Sequence, residues 1–310
     1  MDDLNYYRLF GLNIASELEL PELGPPLIFD PLQNAQVVIS LGPVPKSLAG
    51  GTRVNEYYEF SEDACLVDVK GIAQYQVSQG ATLLVEPVQG AAENDVRTYL
   101  FGTVLSVLLH QRKLLPLHIG AVASPAGVIA FTGESGAGKS TLAGLLHKRS
   151  GWPMVCDDLA VVQTGTPHPI LHGGMLRLKL WRETINRLEV PATTVTRDTT
   201  RHDKYHLISP DLFITEPRPL AALFVLGKGD RPILSKLTGG AAFSAVMNTI
   251  YRPEFAAVFS DQKMIMQSCA EIAKTIDVYR FDRPWDVAAL DAGADYLIEY
   301  FSEKDASTRS

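Results

Sequence analysis

Gly133-Glu134-Ser135-Gly136-Ala137-Gly138-Lys139-Ser140 has the glycine spacing and the closing lysine and serine of a loop that wraps a phosphate. Glycines let successive backbone N–H groups turn toward one anion. Lys139 would reach the outer phosphates and Ser140 would offer a hydroxyl to magnesium, while Thr141 to Arg149 supplies a helix whose positive end faces the same charge. The bland alternative is a glycine-rich turn with no ligand. One short helix later come Asp157 and Asp158. A bound triphosphate needs a divalent ion held by oxygen ligands, and transfer to a hydroxyl is helped by a base within hydrogen-bond reach of the departing proton. Successive side chains of an extended segment point to opposite sides, so two adjacent aspartates divide these tasks. Asp158 is assigned as the base and Asp157 as support for magnesium beside Ser140, with the reverse assignment left open.

The strands and helices that must hold these residues are legible around them. Val128 to Thr132 reads as the buried strand feeding the loop, and Leu117 to Ala123 as its hairpin partner, because Ser124-Pro125-Ala126 is too short for a crossover helix. The sheet is therefore expected to be mixed. That hairpin would carry His118 toward the phosphates, although a histidine among Leu, Ile and Val also suits a hydrogen-bonded core position. Met154-Val155-Cys156 forms the strand that ends in the two acids, and Cys156 reads as a small apolar packing residue. Glu134 could contact an acceptor or only solvent. Arg177, Lys179, Lys204 and Arg252 are candidates for stabilising phosphoryl charge, with surface solvation the plainer reading of each.

Farther out, Tyr6 to Leu12, Gln36 to Leu41, Tyr57 to Phe60, Ala64 to Val69, Ile72 to Val77 and Thr82 to Val85 are short strand-prone runs separated by turn residues. Residues 1–92 are expected to form an N-terminal β-rich domain. A largely buried helix is expected from Asp95 to Arg112, a strand-turn-helix stretch from Leu176 to Leu188, a core strand from Ala221 to Leu226, and helices over Ala241 to Thr249 and Trp285 to Phe301. Residues 93–303 would make the catalytic domain and 304–310 a polar, frayed tail.

The chain has 310 residues, 46% hydrophobic and 20% charged, which is enough for one large core or two ordinary ones. A net charge of -7 gives no basic footprint for nucleic acid. No apolar run has the length of a membrane span, and the acidic start is unlike a signal peptide, so cytoplasm is the expected location. Cys65, Cys156 and Cys269 are widely separated and form no C-x-x-C pair, so reduced thiols are expected rather than disulfides or a zinc site.

Leu117-His118-Ile119-Gly120, the loop Gly133 to Ser140, and Cys156-Asp157-Asp158 one short helix later together resemble the C-terminal catalytic domain of HPr kinase/phosphorylase, itself similar to phosphoenolpyruvate carboxykinase. The resemblance spans about residues 115–165. It implies an α/β, mixed-sheet P-loop kinase fold, ATP and Mg2+ as cofactors, phosphate binding by Gly133 through Thr141, an active-site role for His118, Lys139 on the phosphates, Ser140 on magnesium, and Asp158 as proton acceptor for a substrate serine. The family's later glutamate-and-arginine signature has no counterpart around His172-Gly173-Gly174-Met175-Leu176-Arg177, which puts reverse phosphorolysis in doubt. Tyr7-Arg8-Leu9-Phe10-Gly11-Leu12 with Ser16-Glu17-Leu18, and Leu108 through His118, resemble instead the HPr-kinase-like proteins of peptide-modification clusters. Members associated with lasso peptides phosphorylate the C-terminal serine of a precursor, which implies a peptide or protein partner with an acceptor serine. The hexamers of the HPr enzymes make a homo-oligomer an expectation too. A small-molecule kinase, and a nucleotide-binding regulator without transfer activity, are the other functions compatible with these residues.

Overall fold

Short alternating runs pair, in a computed structural model, into an eight-stranded N-terminal sheet; the structure describes residues 4–28, 35–190, 195–198, 203–285 and 290–309. The sheet order is Asn5–Leu9, Leu12–Ser16, Val37–Leu41, Thr82–Pro87, Ala73–Ser78, Ala64–Val69, Tyr58–Phe60 and Thr52–Arg53. Leu12–Ser16 and Thr82–Pro87 both run parallel to Val37–Leu41, and the other pairings are antiparallel. The single strand expected over Tyr6 to Leu12 is instead a hairpin. Phe10 and Gly11 sit at φ 54° and 79°, the two left-handed positions of a tight turn whose twist suits paired strands. Phe10 is an uncommon residue there, and its buried ring keeps it in place.

Val77, Tyr75, Val37, Ile39 and Val85 are buried, and Tyr75 donates its hydroxyl to the Val96 carbonyl of the first helix at 2.9 Å. That helix runs Glu93–Tyr99 and continues through a wide turn, Leu100–Val104, into Leu105–Gln111. The chain divides into two compact units, the first containing residues 1–116 and 251–265 and the second 117–250 and 266–310. Within the first unit, Phe255 meets Tyr58 and Phe60 edge-on, with ring centroids 5.2 and 5.8 Å apart.

The second unit is built on a mixed sheet, as the short Pro125-Ala126 connection requires. Gly120–Ser124 and Gly127–Thr132 form the hairpin, with Ser124 opposite Gly127. Met154–Cys156 lies antiparallel on one side, and Arg218–Lys228 lies parallel on the other. Asp277–Arg283 extends the parallel run, and Ile233–Leu237 closes it antiparallel. Ile170–His172 pairs with the start of Arg218–Lys228 and also with Ala160–Gln163. Helices Lys139–Ser150 and Leu290–Arg309 pack against this sheet through Leu142, Leu145, Leu146, Leu297 and Phe301. Phe224 centres the core, stacked on Tyr279 at 5.3 Å and tilted on Phe131 at 5.7 Å. The closing helix reaches Arg309, past the end expected at Phe301, and residues 286–289 of that expected helix lie outside the described residues.

A separate antiparallel sheet is made by Arg177–Trp181, Lys204–Ile208 and Val195–Arg197. Its period of two is plain in the sequence: Leu176, Leu178 and Leu180 enter the core, while Arg177 and Lys179 take the other face. Gly173 makes the approach to this sheet possible. A Cβ there would lie 2.0 Å from the Val155 carbonyl oxygen, so only glycine lets the chain pass so close to the strand carrying the acids.

Candidate active site

Strand Gly127–Thr132 delivers the loop, and helix Lys139–Ser150 leaves it. Between them Gly133, Gly136 and Gly138 hold φ values of 145°, 89° and 82°, which an L side chain rarely adopts. Ala137 N–H is turned back onto the Glu134 carbonyl at 3.1 Å, closing the loop on itself. Glu134, Ser135 and Gly136 are exposed and Ala137 is buried. Glu134 therefore sits at the outer rim. Lys139 Nζ donates to the carbonyl oxygens of Gly133 at 2.9 Å and Glu134 at 3.3 Å, so the ammonium lies across the mouth of the loop. Burial pushes its pKa down, against the opposing pull of Asp158 and Asp157. Thr141 faces away, its hydroxyl 2.9 Å from that of buried Thr184, so it reaches the loop's ligand side through its backbone alone.

The two acids leave strand Met154–Cys156 in a bend. Asp158 has φ 82°, a left-handed conformation that aspartate tolerates better than most residues but that still costs about 1–3 kcal/mol when held. The bend sends the carboxylates to different partners. Asp157, buried, accepts the Ser140 hydroxyl at 2.7 Å on one oxygen and the Lys179 N–H at 2.7 Å on the other. Burial raises its pKa, and those two donors work against the rise. Asp158 accepts the Lys179 ammonium at 2.5 Å and lies 3.3 Å from His118 Nε2. Burial opposes its charge too, but Lys179 and His118 overcome that and hold the carboxyl well below the usual carboxylate range.

His118 arrives by a different route from the expected strand. Leu115–Leu117 and Gly120–Ser124 are separate strands, and His118 occupies the break between them, with its N–H on the Thr249 carbonyl at 2.6 Å. Leaving the ladder lets the ring stand half-exposed beside Asp158 instead of in the core. Of the basic candidates, the structure brings Lys179 to the acids. Arg177 is buried on the same strand, Lys204 lies over the Trp181 ring at 5.6 Å, and Arg252 donates to the Thr103 hydroxyl within the first unit. Cys156 is buried, and burial together with the neighbouring acids pushes its thiol pKa well up, which makes it a packing residue.

Two further features had no weight in the sequence. His206, opposite Lys179 in the small sheet, is buried with its Nε2 3.1 Å from Asp198. Arg283 lies behind the loop, buried, donating to the Ala137 carbonyl at 2.8 Å. Only the alternation of Arg177, Lys179 and Trp181 with leucines hinted that this strand had a polar face to present.

Among the described residues no group of three or more His, Cys, Asp or Glu could hold a metal ion. Ser140 and Asp157 are two adjoining oxygen donors, which suits magnesium, an ion that keeps waters and takes its other ligands from substrate phosphates. No helix among the described residues is long and apolar enough to cross a membrane. No family model matches the chain, and no curated protein matches it. Among solved structures it is similar to the HPr(Ser) kinase/phosphatase from Coxiella burnetii, at 14% identity and a TM-score of 0.32, over 63% of this chain and 97% of that one.

Proposed function

We propose that the chain is an ATP- and Mg2+-dependent kinase that moves the γ-phosphoryl group to a serine hydroxyl of a peptide or protein. The observation that carries this reading is the single connected path Ser140–Asp157–Lys179–Asp158–His118, beginning at the foot of a glycine-built anion loop. Its two ends do different work. Ser140 and Asp157 would hold magnesium, which when bound supplies positive charge to the phosphate oxygens. Asp158, held ionised, accepts the proton of the acceptor hydroxyl as the serine oxygen forms its bond to the γ-phosphorus and the bond to the β-phosphate oxygen breaks, releasing ADP. Lys139 leaves the loop carbonyls for the phosphates and balances charge on the transferring group. His118 orients Asp158. The different partners of the two acids favour Asp158 over Asp157 as base.

The acceptor proposed from the sequence resemblance is the C-terminal serine of a lasso precursor peptide. Residues 1–92 would help bind it, 93–303 would carry the transfer machinery, and 304–310 would be a polar appendage. A cytoplasmic enzyme that self-associates belongs to the same reading. Incubation with γ-labelled ATP, magnesium and a peptide ending in serine tests it: label should appear on the terminal hydroxyl. Label on a small alcohol but on no peptide would indicate a small-molecule kinase. The second reading, a nucleotide-binding regulator, is favoured by the lack of a glutamate-and-arginine signature around His172 to Arg177. Tight ATP binding with no labelled acceptor would establish that reading.

A further inference from the structure

Arg283 ends strand Asp277–Arg283 and is only 1% exposed, yet no carboxylate pairs with it among the described residues. One guanidinium nitrogen donates to the carbonyl of Ala137 at 2.8 Å and lies 3.5 Å from that of Gly138, and the other donates to Pro284 O at 3.2 Å. Its Nε is buried with no partner among the described residues. The surroundings are shaped to the side chain: a Cβ on Gly138 would lie 2.7 Å from the guanidinium, and one on Gly293, in the closing helix, 2.9 Å from its Cδ. Burial pulls its pKa down to about 10, still leaving the group charged at neutral pH. A buried cation without a counter-ion is costly, and truncation to an apolar residue would remove that penalty. With no carboxylate beside it among the described residues, the group suits a negative charge that arrives with a ligand.

We infer that Arg283 is a positioning residue for the phosphates of a nucleoside polyphosphate, acting through the backbone of the loop. A peptide unit is planar and trans, so its C=O and the next N–H point in opposite directions. With the carbonyl of Ala137 drawn to Arg283, the N–H of Gly138 faces the other way, while the Gly138 carbonyl takes the Leu142 N–H at 2.8 Å as the first bond of the helix. The loop is thus fixed at both ends, by Lys139 on the carbonyls of Gly133 and Glu134 and by Arg283 on that of Ala137. The two cations differ in freedom of movement: Lys139 can swing to the ligand, whereas Arg283, sealed behind the loop, keeps its place and contributes charge through one layer of peptide. A lysine could not do the same, because its single ammonium lacks the planar fork that spans neighbouring acceptors.

This inference rests on the nucleotide reading of the loop, and one titration series separates the two. Binding of Mg·ATP and of adenosine is measured for the native protein, Arg283→Met and Arg283→Lys, with steady-state kinetics on the same samples. Loss of charge-assisted hydrogen bonds predicts that Arg283→Met weakens ATP binding by roughly 10- to 100-fold, with little change for adenosine, and that KM for ATP rises by more than kcat falls. Arg283→Lys, which keeps the charge but not the planar fork, recovers part of the affinity. Native protein that binds no Mg·ATP overturns the nucleotide reading and the Arg283 role with it. Native binding with undiminished ATP affinity in Arg283→Met, or equal losses for ATP and adenosine, overturns the Arg283 role alone. Should the methionine variant not fold, Arg283→Lys decides: weaker ATP binding with adenosine unchanged supports the role, and native ATP affinity overturns it.

Discussion

The loop and the acid pair are neighbours, but they are made in opposite ways. Gly133 to Ser140 is one contiguous stretch whose shape is written in backbone dihedrals, whereas Asp157 and Asp158 owe their geometry to Ser140, Lys179 and His118, which arrive from a helix, a separate sheet and a break between strands. Local backbone chemistry depends first on glycine where φ is positive, and from outside the stretch on the brace that Arg283 lends to the Ala137 carbonyl. A side-chain network lacks that local basis. It exists only when every element is in place, so the acid end should respond to distant substitutions, other than at Arg283, that the loop ignores.

The largest expected effect tests the contiguous end. Lys139→Ala should reduce phosphoryl transfer by about 10³-fold or more, since the only loop ammonium is lost from the transition state. Initial rates at saturating ATP check this, and a loss under tenfold would mean the lysine serves the loop carbonyls alone. Next comes the acid end. Asp158→Asn should slow transfer by about 10²- to 10⁴-fold while nucleotide affinity stays within a small factor. Asparagine is the right probe because it too tolerates φ near 82°, whereas alanine would add backbone strain to the loss of the carboxylate. Full activity in Asp158→Asn would leave Asp157 as the candidate base.

Lys179→Met is the sharper test of the contrast. It keeps the Lys179 N–H on Asp157 but removes the ammonium from Asp158, so it should cut kcat by about 10- to 100-fold and leave ATP affinity nearly native. The same variant should melt close to the native temperature, because the strand's leucines, not its lysine, hold it to the core. Equal effects on kcat and on nucleotide binding would show that loop and acids are one energetic unit, and the contrast would fail.

That contrast also explains what could be read from the sequence. The loop, its strand and its helix were legible because turn chemistry and hydrophobic runs are local. The Gly127 hairpin and the mixed sheet followed from a connection too short for a crossover. His118 was legible as a candidate but not in its setting: an apolar run reads as one strand, and nothing local marks the break that turns its ring outward. Tyr6 to Leu12 erred for a related reason, since Phe10 is an unusual first residue for a tight turn. Lys179 looked like a surface charge because its partner lies on another element, and Arg283 carried no signal at all. Buried cations become visible only when the groups around them are assembled.

The smallest expected effect reaches the foundations of the acid end. His206, across from Lys179, is nearly sealed from solvent, and burial lowers its pKa; the Asp198 carboxylate opposes that shift, while Arg177 and Lys179 reinforce it. A histidine with a depressed folded-state pKa takes up its proton less readily in the native chain than in the unfolded one. The unfolded state is therefore favoured as pH falls below the ordinary histidine value of about 6.5, and the loss levels off only below the folded-state pKa. Melting temperature should drop between pH 7.5 and 5.5, and His206→Gln should flatten that drop while lowering the melting temperature at pH 7.5 by a few degrees, since glutamine keeps a donor for Asp198 but fills the space less well. His110 provides the matched control. It too has a pKa lowered by burial, with Nε2 on the Tyr251 carbonyl at 2.8 Å, but it lies in the other unit, far in sequence from Lys179 and the acids. If the acid end is the more fragile assembly, transfer activity should fall with pH alongside the His206-dependent part of the melting curve and not the His110-dependent part. A native curve as flat as that of His206→Gln would mean that water reaches His206, and that the small sheet is not the closed support the acids require.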